Sequence, residues 1–154
     1  MERTLIILKP SAIGRGLAGE VIARFERRGF FFAGMKMMQL NDAILEEHYA
    51  QLINKPFFPD LRRSMLATPV IVACVEGKDV VQVVRMMCGA TNCREALPGT
   101  VRADFGVSVV HNIIHASDSE ENAVTEINRF FKTEELFDYK PISFQLLYGD
   151  SDKI

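Results

Sequence analysis

The sequence predicts an α+β fold of the ferredoxin-like type, a β-α-β-β-α-β sandwich whose four-stranded antiparallel sheet is covered by helices. Two observations carry this. Short apolar, β-branched runs alternate with segments whose apolar residues recur at helical spacing, and no long hairpin interrupts that order. The length of 154 residues suits a single domain, residues 1–154, able to bury roughly two thirds of its unfolded surface.

Residues 4–8 form a continuous apolar run, as a central strand covered on both faces requires. Lys9-Pro10-Ser11 ends it, and Ser11 is suited to cap a helix. Leu17, Val21, Ile22 and Phe25 then recur at helical spacing until Gly29 closes that helix. Residues 30–40 are apolar-rich with a weak alternation, the second strand. Asn41-Asp42 caps a helix bearing Ile44, Leu45, His48, Tyr49 and Leu52. Lys55-Pro56-Phe57-Phe58-Pro59 is read as irregular, because prolines bracket its aromatics; residues 61–66 follow as a short helix. Residues 70–75 are the third strand, and Glu76-Gly77-Lys78-Asp79 turns into a helix through Val80, Val83, Val84 and Met87. Residues 89–110 show no period, and so long a structureless stretch in a compact domain is usually functional. Residues 108–115 supply the fourth strand, and Ser119 opens a helix with Ala123, Ile127, Phe130 and Phe131 on one face. The tail from Thr133 is mixed and is expected to pack across a neighbouring subunit.

Bulk composition mostly excludes. With a net charge of −2, nothing holds a nucleic acid or a membrane by charge alone, so an anionic ligand needs a few placed cations. No apolar stretch approaches ~18 residues, and the apolar part of the N-terminus is too short for a signal sequence. Cys74, Cys88 and Cys93 lack C-x-x-C spacing and are read as reduced, which suits the cytoplasm. No cluster of His, Cys and carboxylates has metal-ligand spacing. Val72 stands where a Walker A loop before Gly77-Lys78 needs its first glycine, and no G-x-S-x-G occurs.

The strongest chemical signal is Asn112-Ile113-Ile114-His115-Ala116-Ser117-Asp118-Ser119. An apolar run delivers a histidine at its end, and residues that start helices follow, so the ring lies beside a helix N-terminus that favours an anion. The context suits a histidine that accepts a phosphoryl group; taken alone, the motif more often marks a structural histidine. Glu126 falls on the edge of the next helix's apolar face, where a carboxylate is either paired or turned to water. Paired with His115, it would fix the tautomer and leave the other ring nitrogen free to attack. Lys9 ends a strand expected to be buried, Arg85 follows the third strand and Arg102 lies in the long loop. Phosphoryl transfer needs such placed positive charge more than covalent help. Phe57 or Phe58, on an irregular segment, can stack a base without reading its identity, although core packing is the commoner use.

Residues 4–10, Arg15-Gly16-Leu17, Glu47-His48-Tyr49, Lys55-Pro56-Phe57-Phe58, Gly89-Ala90-Thr91-Asn92, Pro98-Gly99-Thr100-Val101-Arg102 and residues 112–119 occur in one order along the chain. With them the sequence resembles the nucleoside diphosphate kinase family, from about residue 3 into the tail. The resemblance implies reversible transfer of a terminal phosphoryl group from a nucleoside triphosphate to a nucleoside diphosphate, ping-pong through a phosphohistidine, with low base selectivity. It implies His115 as nucleophile, Glu126 orienting the ring, Ser117 supporting that carboxylate and Tyr49 contacting the histidine or its phosphate. Arg85, Thr91 and Arg102 match phosphate binders, and Lys9 and Asn112 match contacts to ribose and terminal phosphate. Phe57 and Val109 match the sides of a base slot, with Leu61 beside it.

The same resemblance implies Mg²⁺ bound through the nucleotide phosphates, with no protein metal ligand, membrane or nucleic acid required. Residues 89–110 are expected to help build a trimer face. The tail beyond Tyr139 is longer than in the shorter, often tetrameric bacterial members, which favours a homo-hexamer over a tetramer. Some positions depart from the family pattern: Ser11-Ala12 replaces Asp-Gly, Ala103 and Ala116 each replace glycine, and Cys93 replaces proline. Ala116 fits only if its backbone avoids positive φ.

Overall fold

The first apolar run forms β1 (Glu2–Leu8), in which Leu5, Ile6, Ile7 and Leu8 are all fully buried. Side chains alternate across a strand, so Ile6 and Leu8 enter one core while Leu5 and Ile7 enter the other. The run is unbroken by polar residues because this strand has no solvent face. Each such side chain contributes about 1.5–3 kcal/mol by leaving water. The computed structural model describes residues 1–152; residues 153 and 154, assigned to the same domain from sequence, lie outside them.

β1 pairs antiparallel with both β3 (Val70–Gly77) and β4 (Ile114–Ala116), and β3 pairs antiparallel with β2 (Phe31–Met38). The order β2-β3-β1-β4 is the antiparallel, ferredoxin-like sheet that the sequence predicts. Register places Ile7 opposite His115, so the strand that carries the histidine is held against the most deeply buried one.

Helices cover both faces. α2 (Ala18–Arg27) and α5 (Val80–Cys88) send Val21, Phe25, Val80 and Val84 into the core around Ile6. α3 (Asp42–His48), α4 (Phe58–Met65) and α7 (Glu120–Phe130) send Leu45, Met65, Ile127 and Phe130 into the core around Leu5. Asn41 and Ser119 cap α3 and α7 by accepting the Ile44 and Asn122 amides. Gly29 has φ 97° and closes α2, its N–H bonding Glu26 while the Phe30 N–H bonds Phe25.

Several expectations need correction. Ser11 caps nothing: it lies inside α1 (Pro10–Ile13), and its hydroxyl accepts the Ile113 amide. The fourth strand covers only Ile114–Ala116. Ile113, at φ 74°, gives its N–H to Ser11 and receives the Lys9 N–H on its carbonyl, so α1 satisfies groups a longer strand would have paired. α4 starts at Phe58, inside the stretch read as irregular, because Pro59 falls in the first turn, where no N–H is needed. Residues 89–110 contain α6 (Val101–Phe105), too short to show a period and capped by Thr100, which accepts the Ala103 amide.

The tail packs in part on its own chain. The Phe137 N–H donates to the Ala33 carbonyl at 2.7 Å, the Tyr139 hydroxyl donates to the Phe32 carbonyl, and Phe144 of α8 (Phe144–Leu147) is buried. Among the described residues no helix is long and apolar enough to cross a membrane.

Candidate active site

β4 holds His115 against β1, and α7 brings Glu126 back over it. The two meet at 3.0 Å, His115 Nε2 to Glu126 Oε2, and Ser117 Oγ donates to the same carboxylate oxygen at 2.6 Å. Ser117 is itself fixed to β1, since its N–H donates to the Leu5 carbonyl and its Oγ accepts the Leu5 N–H. Burial pushes the Glu126 carboxyl up, but the hydrogen bonds from His115 and Ser117 outweigh this and hold it below its ordinary range. An ionised Glu126 can only accept, so the His115 proton sits on Nε2 and Nδ1 keeps its lone pair. Nδ1 makes no hydrogen bond among the described residues, on a side chain 18% exposed.

The histidine is enclosed by other rings. His48, the last residue of α3, packs edge-on at 4.5 Å between ring centroids, and Tyr49 lies at 6.1 Å. Burial, reinforced by the adjacent His115, holds His48 down to about 3, so it is a neutral wall. Arg129 Nη1 donates to His48 Nδ1 at 3.2 Å. Burial and the Glu126 charge push the Tyr49 phenol up, so it stays protonated. Its hydroxyl is buried without a partner among the described residues, a costly state that a ligand oxygen would relieve.

A second string of groups runs alongside. Lys9 Nζ donates to Asn112 Oδ1 at 2.6 Å, and Asn112 Nδ2 donates to the Thr91 carbonyl at 3.1 Å. Lys9 is buried, and desolvation with the nearby Arg102 charge lowers its ammonium to about 7. Arg102 braces the backbone through Nη1 on the Gly89 carbonyl and Nη2 on the Ile114 carbonyl, leaving its buried Nε without a partner among the described residues. The Arg85 side chain makes no hydrogen bond or ion pair among the described residues. Arg85, Thr91, Arg102 and Ala116 line one cavity of about 170 Å³. A larger groove of about 1080 Å³ also passes Arg85, but Glu2, Asp79, Glu95, Asp118, Glu120 and Glu121 line it and disfavour phosphate. Of the two, the small cavity is the cationic one.

The sequence favours an anion at the start of α7, and that end carries groups of its own. Ser119 caps that end, and Glu120 and Glu121 already face its dipole. The residues placed about the base lie on other elements: Phe57 and Val109 are each 46% exposed, while Leu61 is buried with Phe58 and Met65. His48 was missed, although Glu47-His48-Tyr49 was the signal for it. With it, His48, His115 and Glu126 bring ligand atoms within 4.8 Å of one another, a convergence invisible in linear spacing. The departures are accommodated: Ala116 has strand backbone, Ala103 sits in α6, and Cys93 Sγ donates to the Ser108 carbonyl.

The family model for nucleoside diphosphate kinase matches residues 2–136. The chain belongs to that family. A nucleoside diphosphate kinase of Parabacteroides distasonis is 52% identical over 152 residues, covering 99% of both chains. Nucleoside diphosphate kinase B of Bos taurus is 47% identical over 147 residues, covering 96% of this chain and 97% of that one. A halophilic nucleoside diphosphate kinase from Halobacterium salinarum, solved in complex with CDP, superposes with a TM-score of 0.93 at 37% identity, covering 96% of this chain and 99% of that one. As a nucleoside diphosphate kinase, the protein transfers phosphoryl groups between nucleotides, and the family's general route is ping-pong through a phosphohistidine.

Proposed function

We propose that His115 is the phosphoryl acceptor and that Nδ1 is its attacking atom. One observation carries this: the ring is tied through Nε2 to an acid that Ser117 holds in place, and its other nitrogen is unbonded. Nδ1 forms the N–P bond as the bond to the bridging oxygen breaks, and the diphosphate leaves with that electron pair. The phosphorylated ring keeps its Nε2 proton and becomes cationic, a charge Glu126 stabilises at 3.0 Å. A second diphosphate then attacks the same phosphorus, and the steps run in reverse.

Arg85, Thr91 and Arg102 are assigned to the phosphates, the Tyr49 hydroxyl to the group in transfer, and Lys9 and Asn112 to ribose and terminal phosphate. Phe57 and Val109 are assigned the faces of the base slot, with Leu61 beside them. The triad of His48, His115 and Glu126 suits Mg²⁺ poorly, since Mg²⁺ prefers oxygen ligands, both Glu126 bonds are internal, and Arg129 sits on His48. Mg²⁺ is therefore assigned to the nucleotide phosphates, whose charge it offsets when bound.

The whole chain, residues 1–154, acts as one domain and assembles as a homo-oligomer, with a hexamer favoured over a tetramer. Exposed Ile142, Leu146 and Leu147 on the long tail support assembly. Free Cys74, Cys88 and Cys93 favour a cytoplasmic setting. Initial rates with ATP and several diphosphates test the mechanism. Parallel double-reciprocal lines and turnover of every base are expected; intersecting lines would exclude the covalent route.

A further inference from the structure

Beside the site, one backbone position is strained. Ile113 is β-branched yet has φ 74°, a conformation its side chain disfavours. The Ile114 N–H donates to the Asn112 carbonyl at 2.8 Å and closes a γ-turn about Ile113, a rare form at positive φ. This turn directly follows Asn112 and lies two residues before His115. Both backbone groups of Ile113 itself go to the start of α1. Its N–H donates to Ser11 Oγ at 3.2 Å, and its carbonyl accepts the Lys9 N–H at 2.9 Å. The Ile113 side chain is fully buried.

We propose that Ser11 is a positioning residue for phosphoryl transfer: by accepting the Ile113 amide it holds the strained turn closed, and so sets Asn112 and Lys9 relative to His115. The proposal rests on His115 being the phosphoryl acceptor. Ser11 touches no reacting atom and works through Ile113. Without that acceptor, a part-buried amide is left unpaired, and the turn relaxes to seek another partner. Relaxation moves Asn112 on one side and β4 on the other. A shift of ~1 Å in such a site costs roughly a hundredfold in rate. Phe57, Arg85 and Thr91 bind from other elements, so the loss falls on kcat more than on KM.

The test compares Ser11→Thr with Ser11→Val, which share a shape and differ in the acceptor oxygen, and adds Ser11→Ala as a smaller variant. Each is assayed by steady-state kinetics with ATP and a diphosphate, and by amide exchange at Ile113, beside a His115→Ala control. Ser11→Val and Ser11→Ala should lose kcat by about tenfold or more with KM nearly unchanged, and Ile113 should exchange faster; Ser11→Thr should retain both. Equal kcat in the Thr and Val proteins, or an equal fall in all of them, overturns the role of Ser11 while leaving His115 in place. Phosphorylation surviving in His115→Ala would overturn both.

Discussion

His115 and Ser117 converge on one atom, Glu126 Oε2, at 3.0 and 2.6 Å. The carboxylate is held before it orients the ring, so imidazole, acid and hydroxyl act as one unit.

Ser117→Ala removes the donor that holds the acid, and Glu126→Gln removes the charge facing Nε2. Each should lower kcat by about ten- to a hundredfold with little change in KM, as loss of orientation does. Because Glu126 is held below its unfolded value of 4.5, its stabilising contribution is complete above that pH and disappears as pH falls through the folded value. Acid unfolding curves should therefore be flatter in Glu126→Gln, with a lower plateau near neutrality.

Lys9, lowered to about 7 by burial and Arg102, is mostly neutral in the free protein above that pH. A phosphate brought beside it should pull a proton on. Calorimetry of diphosphate binding at pH 8, in buffers of different ionisation enthalpy, should show proton uptake that Lys9→Met abolishes. In the ligand-free protein the unfolded chain binds the extra proton between about 7 and 10.5, so this group makes stability rise with pH across that window. Uptake that persists in Lys9→Met would assign the proton elsewhere.

Phe57, 46% exposed, is assigned to a base it does not read by hydrogen bonding. Phe57→Ala should weaken purine and pyrimidine nucleotides alike by about 1–3 kcal/mol, and Phe57→Tyr should retain them. Competition assays across several diphosphates check this; a loss confined to one base would contradict simple stacking.

Gly89 ends α5 at φ 82°, and a Cβ there would lie 2.4 Å from Thr100 Oγ1. Gly89→Ala should cost about 1–3 kcal/mol, visible as a Tm lowered by several degrees. It should also raise KM, because the Gly89 carbonyl anchors Arg102.

The parts legible from sequence were those that one segment determines. The unbroken apolar run from Leu5 to Leu8 announced a strand buried on both faces, and Asn41 and Ser119 marked their helix starts through local capping. Glu126 on the rim of an apolar face pointed back to His115 because a short turn joins their elements. What the sequence hid depends on contacts between distant segments. His48 joins the site only when α3 packs against β4, Ile113 turns away from strand geometry because α1 takes its backbone bonds, and α6 is too short to show a period.

Incubation with ATP labelled at its terminal phosphate, followed by mapping of the acid-labile label, tests the central claim most directly. The label should sit on His115 at Nδ1, be discharged by any added diphosphate, and be absent from His115→Ala. Label on another residue, or undiminished label in His115→Ala, would contradict the account.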